Sequence, residues 1–252
     1  MILTRNGVDI NYEVHGKGQT TLLLTHGYSG SLRMWDPQVA ALQANFRLVT
    51  WDLRGHGGSD SPERLDLYSA AHAVADMAAL LDHLRLEQAV VGGLSLGGYL
   101  SLAFYLTHPD RVRALVLADT GPGYRNDEAR EGWNEMARAR GRFFSHKGLA
   151  GLEAGDPAHG DTHRSAMGLA NAAAGTLVQH DGAVMAALPD VAVPSLIIVG
   201  SNDEPFVNPS QYMARKIPSS QLCMLDDAGH VSNIEQPDAF NAALVGFLAD
   251  LA

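Results

Sequence analysis

The chain predicts an α/β fold: a mostly parallel, twisted sheet of about eight strands, with helices on both faces and an inserted helical cap. Three observations carry this expectation. Short apolar runs alternate with longer, helix-periodic ones along most of the 252 residues. The short runs are nearly continuous in apolar character, which suits strands covered on both faces. One stretch, 121–189, breaks the alternation and offers no convincing strand.

The elements follow in order. Runs near Ile2–Thr4 and Val8–Val14 have no helix between them and read as an antiparallel hairpin at the sheet edge. Thr21–Leu24 reads as a buried strand ending at His26-Gly27, and Phe46–Thr50 as another. Between them, Asp36-Pro37 has the form of a cap and first-turn proline, opening a helix through Ala44. Ser69 caps a helix carrying Val74, Met77, Ala78, Leu81 and Leu84 on one stripe. Ala89–Val91, Ala114–Leu117, Ser195–Val199 and Gln221–Leu225 complete the strands. Leu96–Thr107 is helical and stops before Pro109, and Gln236-Pro237 opens a last helix with Phe240, Leu244 and Phe247 inward.

Residues 1–120 and 190–252 therefore form the core domain, and 121–189 the inserted cap. The cap holds seven basic and eight acidic residues and is broken by Gly121-Pro122-Gly123, Gly155-Asp156-Pro157 and Gly160. Trp133, Met136, Ala137 and Phe144 fall at helical spacing and are expected to pack the cap onto the core.

Composition limits the function classes. With 46% hydrophobic residues the chain can bury a sizeable core without staples. The formal charge of −10 repels nucleic-acid backbones and anionic membranes, so neither partner is expected. The N-terminal segment shows no signal-peptide pattern and no run is long enough to span a bilayer, which points to a cytoplasmic location. The single cysteine, Cys223, flanked by Leu222 and Met224, reads as an inert thiol on a buried strand.

Chemistry concentrates at Gly93-Leu94-Ser95-Leu96-Gly97, a G-x-S-x-G pattern placed between a buried strand and a helix. Such a turn strains the serine backbone and exposes its hydroxyl above the sheet. Gly93 and Gly97 are small because strand and helix crowd there. A serine nucleophile needs a base, and the base an orienting acid. His230 follows the last strand, at the carboxyl edge where open α/β sheets bind ligands. Asp203, after the Ser195–Val199 strand, is the favoured acid; Asp119 is its rival, while Glu204, Asp226 and Asp227 read as bystanders. Backbone N–H groups of Leu96 and Tyr28 are the candidate oxyanion donors, with His26 orienting the Tyr28 loop. Tyr28, Trp133, Phe144 and Val231 are expected to line the substrate pocket.

Taken together, His26-Gly27, the Asp52-x-Arg54-Gly55-x-Gly57-x-Ser59 loop, Ser95, Asp203 and His230 resemble the α/β-hydrolase fold superfamily, in its serine carboxylesterase-like branch. The resemblance covers essentially the whole chain. It implies hydrolysis of small to medium carboxylic esters through an acyl-enzyme, with no cofactor or metal and a monomeric or homodimeric state. Lactone opening, C–C bond cleavage and perhydrolysis are the alternatives on the same triad, and a receptor that keeps the triad is a rival of another class. Serine at the elbow argues against haloalkane dehalogenases and typical epoxide hydrolases. Val231 stands where C–C bond hydrolases carry a bulky aromatic, and Arg125, Arg138 or Arg142 could serve such an enzyme's carboxylate contact. Arg54 is expected to pair with a nearby carboxylate, and His159-Gly160-Asp161-Thr162-His163 to be a solvated loop rather than a metal site.

Overall fold

The period-two alternation of a strand decides which helices each side chain meets. Leu23, Val49, Val91, Leu115, Leu117 and Ile197 face one layer, while Leu22, Leu24, Leu48, Val90, Val116 and Ile198 face the other. The computed structural model describes residues 1–152 and 163–251. Its strands are β1 (Ile2–Arg5), β2 (Val8–His15), β3 (Thr21–Thr25), β4 (Arg47–Trp51), β5 (Ala89–Leu94), β6 (Val112–Ala118), β7 (Ser195–Gly200) and β8 (Ser220–Leu225). They form one eight-stranded sheet in the order β1-β2-β4-β3-β5-β6-β7-β8. β1 and β2 are antiparallel to their neighbours and the other six strands run parallel. The β1–β2 turn is Asn6-Gly7 with φ of 51° and 76°, the left-handed pair a two-residue hairpin demands.

Helix α1 (Asp36–Leu42) and α9 (Pro237–Ala249) cover one face, burying Val39, Leu42, Phe240, Leu244 and Phe247. Helix α2 (Ala70–His83), α3 (Leu96–Thr107) and α7 (Glu204–Lys216) cover the other, burying Met77, Leu81, Leu100, Phe104 and Met213. Ser69 caps α2 by accepting from the His72 amide at 3.1 Å. Asp36 lies inside α1 rather than capping it; a 3-10 turn over Leu32–Trp35, capped by Ser31, runs straight into the helix. Helix α7 was not legible in the apolar pattern. Pro205 falls in its first turn, where a missing N–H costs nothing, and Pro209 lies inside it.

Strand β8 ends the sheet, which corrects one expectation. Leu222 and Met224 are 40% and 42% exposed, and Cys223 is half-buried rather than in the core. An edge strand buries only one side-chain row well, and Cys223 shares that row with buried Leu225. Burial still pushes the Cys223 thiol above its ordinary pKa, which disfavours the thiolate.

Between β6 and β7 the described residues hold helices and no strand: α4 (Asp127–Lys147), α5 (Ala166–Gly175) and α6 (Ala183–Ala186). The segment is tied to the sheet by polar contacts. Tyr28 donates from its hydroxyl to Leu169 O at 3.0 Å, and His163 bridges Gly57 N (3.1 Å) and Ser29 O (2.8 Å). The rest of the His159–Thr162 string lies outside the described residues. His163 itself is bonded rather than merely solvated. The α4 face buries Ala137 and Phe144, whereas Met136 is 45% exposed and does not pack on the core.

The glycine-rich loop after β4 is held by charge. Arg54 donates from Nε and Nη2 to both oxygens of Asp76 on α2, at 2.7 and 2.8 Å, and Arg5 adds a third bond at 2.8 Å. Asp76 is the carboxylate expected near Arg54, and it is fully buried. Among the described residues no helix is long and apolar enough to cross a membrane.

Candidate active site

The sheet order creates the site. The chain steps from β3 outward to β4, then returns to the other side of β3 as β5. At such a switch point the two loops leaving adjacent carboxyl ends diverge and leave a crevice. The loop after β3 carries Gly27 and Tyr28; the turn after β5 carries Ser95.

Ser95 has φ 55° and ψ −116°, a left-handed strain that a non-glycine residue holds only when its surroundings enforce it. They do so here. Ser95 N donates to Ala118 O at 2.9 Å, and its carbonyl accepts from Thr120 Oγ1 at 2.6 Å and Tyr99 N at 3.1 Å. The tightness shows at Gly97, where a Cβ would stand 2.0 Å from the Thr25 carbonyl oxygen. Helix α3 can begin this close to β3 only with glycine there.

Ser95 Oγ lies 3.0 Å from His230 Nε2, and His230 Nδ1 lies 2.9 Å from Asp203 Oδ2. Asp203 occupies the N-cap position of α7 but makes no side-chain capping bond, so its carboxylate reaches the imidazole instead. Phe206, one turn into α7, stacks on the imidazole at 4.8 Å between centroids and 25° between planes. Burial opposes protonation of His230, but the hydrogen bond and charge of Asp203, with Asp119 and Glu235, outweigh it and raise the pKa.

Asp119 does not bond the histidine. Its Oδ1 accepts from Gly200 N at 2.9 Å and its Oδ2 from the Ser232 hydroxyl, so it braces β7 against helix α8 (Ser232–Glu235). Burial lifts its pKa to about 7 against those two bonds. A carboxyl raised in this way contributes stability fully below its ordinary value near 3.8 and loses it as pH rises through about 7. Asp119→Asn keeps an acceptor for Gly200 N and never ionises. Its melting temperature relative to wild type is expected to rise between pH 5 and pH 8 in scanning fluorimetry. A pH-independent difference would refute this account.

The loop carrying Tyr28 is held rigid by neutral histidines. His26 donates from Nδ1 to Gly27 O at 2.6 Å and accepts the Leu53 amide on Nε2 at 3.0 Å. Burial pushes its pKa below the ordinary value, despite the opposing charge of Asp52. His56 Nε2 accepts the Ser29 amide at 3.1 Å, and Gly30 N closes the turn on Gly27 O at 3.0 Å. Gly27 abuts Ser95: a Cβ there would lie 3.4 Å from Ser95 Cβ. The Leu96 amide opens α3, where a helix has no internal acceptor for it.

A family model described as alpha/beta hydrolase fold matches residues 20–148, half of the chain and the part that holds Ser95. The chain belongs to the α/β-hydrolase fold family. It is similar to 3-oxoadipate enol-lactonase 1 of Acinetobacter baylyi, 30% identical over 100% of this chain and 97% of that protein. Among solved structures it resembles a thermophilic esterase from Thermogutta terrifontis, with TM-score 0.83 and 27% identity over 99% and 97% of the two chains. It also resembles the enol-lactonase of Burkholderia xenovorans LB400, with TM-score 0.80 and 27% identity over 99% and 100%. The protein is thus a hydrolase.

Above Ser95 this hydrolase has a cleft of about 670 Å³ of space free of protein atoms, its solvent-filled mouth included. Its walls are aromatic and neutral, with Tyr99, Tyr124, Trp133, Gln179 and Phe206 prominent. Of the four residues expected to contact substrate, only Trp133 lines it. Its Nε1 donates to Leu177 O at 2.9 Å, which seats the ring in the wall. Phe144 is fully buried in a cluster with Leu169 and Ala170, beneath the Arg140 guanidinium. The Tyr28 ring packs edge-on to Phe144 and His56, its hydroxyl committed to Leu169. Val231 packs, partly buried, against the cluster that holds Phe240 and Leu244, with its amide bonded to Glu235 at 3.1 Å. Arg125 and Arg142 are exposed, Arg138 pairs with Glu131 and Glu135, and none of the three lines the cleft.

Sequence reasoning missed Tyr99, Phe206 and Gln179. Two of them carried a helical signal: Tyr99 is one turn beyond Ser95, and Phe206 one turn beyond Asp203. Gln179 carried none. Among the described residues no group of three or more His, Cys, Asp or Glu is placed to hold a metal ion.

Proposed function

We propose that this hydrolase cleaves carboxylic esters of small to medium size through an acyl-enzyme. The observation that carries the reading is the unbroken chain Ser95 Oγ, His230, Asp203 at 3.0 and 2.9 Å, opening on a neutral, largely apolar cleft. Ser95 Oγ attacks the ester carbon while His230 takes its proton. In this reading the tetrahedral oxyanion accepts hydrogen bonds from the Leu96 and Tyr28 amides. His230 then protonates the departing alcohol. Water, deprotonated by the same imidazole, releases the acid. Asp203 keeps the imidazole in the productive tautomer and stabilises its cation. The stacked ring of Phe206 limits its rotation.

Lactones are cyclic esters and need no new machinery, and the likeness to two enol-lactonases makes them part of the same reading. The test is hydrolysis of p-nitrophenyl esters of two, four, eight and twelve carbons beside a simple γ-lactone, with fluorophosphonate labelling of the serine. Turnover that peaks at short or medium chains supports the reading. No turnover and no label would refute a serine mechanism; a label without turnover would refute simple esters as substrates.

The pH dependence follows from His230. Its base form must be neutral, and its pKa is raised above the ordinary 6.5. The kcat/KM profile is therefore expected to rise with pH, with a midpoint above 6.5. A midpoint below that value would mean that Asp203 does not hold the imidazolium.

A further inference from the structure

The cleft contains a polar pair that the triad chemistry does not use. Gln179 is 7% exposed and lines the cleft, yet its Oε1 is buried with no hydrogen-bond partner. Its Nε2 and the Tyr99 hydroxyl make no hydrogen bond among the described residues either. The two side chains border the same backbone glycine. A Cβ on Gly123, whose φ is +82°, would stand 2.6 Å from Gln179 Oε1 and 3.2 Å from Tyr99 Cε2.

Gln179 is also rigidly presented. Its N–H donates to Asn134 Oδ1 and its C=O accepts from Asn134 Nδ2, both at 2.8 Å. Its backbone is thus clamped to α4 while its carboxamide does nothing for the fold. A buried polar group without a partner is a standing cost, and native structures keep one where a ligand or ordered water completes it.

The remaining wall excludes the charged alternative. Among the described residues no Lys or Arg side chain lines the cleft, and His230 meets it only at the Ser95 edge. The charges that the Tyr99 hydroxyl feels, from Asp181 and Arg130, act in opposite senses. Arg130 is itself paired with Asp127. A substrate carboxylate entering here would lose its hydration without gaining a cation.

We propose that Gln179, with Tyr99 beside it, is the specificity anchor of the cleft, selecting uncharged esters that carry a second, neutral oxygen function such as a hydroxyl or ketone. The inference rests on the ester-hydrolase reading above. A hydroxyl or keto oxygen meets the carboxamide N–H or the phenol, and a hydroxyl can also donate to the carboxamide oxygen after a simple amide rotation.

The test compares five substrates by pH-stat: ethyl hexanoate, ethyl 3-hydroxyhexanoate, ethyl 5-oxohexanoate, 2-hydroxyethyl hexanoate and the anionic monoethyl adipate. In the wild type, at least one neutral oxygenated ester is expected to exceed ethyl hexanoate about tenfold in kcat/KM, with monoethyl adipate below both. Gln179→Leu is expected to reduce that ratio about tenfold, chiefly through KM, and Tyr99→Phe to reduce it less. Gln179→Met, closer in shape, serves if the leucine variant folds poorly. An unchanged ratio in these variants, or a preference for the plain or the anionic ester, overturns the proposal. Should the wild type hydrolyse none of the five, the ester reading fails, and the anchor is then judged by calorimetry on Ser95→Ala with the same compounds. Tighter binding of an oxygenated ester, lost in Ser95→Ala/Gln179→Leu, upholds the anchor; equal binding rejects it.

Discussion

Ser95→Ala lowers kcat on any ester the wild type turns over by roughly four orders of magnitude or more. On the proposed mechanism the loss is large because the nucleophile and its base act as one unit. Without Oγ, His230 has no proton to take, and only the oxyanion donors and binding remain. The fold should survive, since Oγ makes its one hydrogen bond to His230, a group at the edge of the cleft. Backbone strain gives a second reading of the same residue. Ser95 sits at φ 55°, so alanine inherits the strain and glycine relieves it. Ser95→Gly should melt above Ser95→Ala while being equally inactive. Residual turnover within tenfold of wild type, measured by initial rates on purified protein, would remove Ser95 from the mechanism.

Asp76→Ala destabilises the fold by about 3–5 kcal/mol. That corresponds to a fall in melting temperature of roughly 10 °C for a chain of this size. The reason is asymmetry. Arg54 is only 4% exposed, and both oxygens of Asp76 take its guanidinium. Removing the carboxylate leaves a buried cation with one long bond to the Leu67 carbonyl, at 3.2 Å. Its partner Arg5 is more exposed and can turn to water. Removing both charges is gentler: Arg54→Met with Asp76→Leu should recover half or more of the loss, because no orphaned charge remains. Equal destabilisation in the single and double variants would show that shape, not charge, governs the site. The loop that Arg54 holds also carries His56, which receives the Ser29 amide, so the single variant should lose activity before it unfolds.

The pH behaviour tests the same electrostatics from another side. Asp119 and Asp203 are both buried near His230, yet only Asp203 touches it. Asp119 is occupied by Gly200 and Ser232, which is why burial, not pairing, dominates its titration. The two carboxyls are thus separated by geometry that their positions in the chain left open.

Much of this hydrolase is determined by local sequence. Nearly continuous apolar runs specify buried parallel strands, because both faces of each strand meet helices. The Gly93-x-Ser95-x-Gly97 spacing specifies the strained turn, because any Cβ at Gly97 would stand 2.0 Å from the Thr25 carbonyl oxygen. Strand ends also place Asp203 and His230 on one edge, since parallel strands deliver all their exits to the same side. Helix α7, with Pro205 in its first turn and Pro209 inside it, is not among the elements read from the sequence.

Only the tertiary structure decided what fills the space above Ser95. Phe144 and Tyr28 had the right chemistry for a pocket, but they pack against each other between α4, α5 and the β3 loop. Gln179 lies in the inserted segment and reaches the cleft through Asn134, 45 residues earlier in the chain. A wall built by distant segments leaves no periodic trace in any one of them. The geometry at Ser95 is a short-range property of a turn, whereas the lining of the cleft is a long-range property of packing.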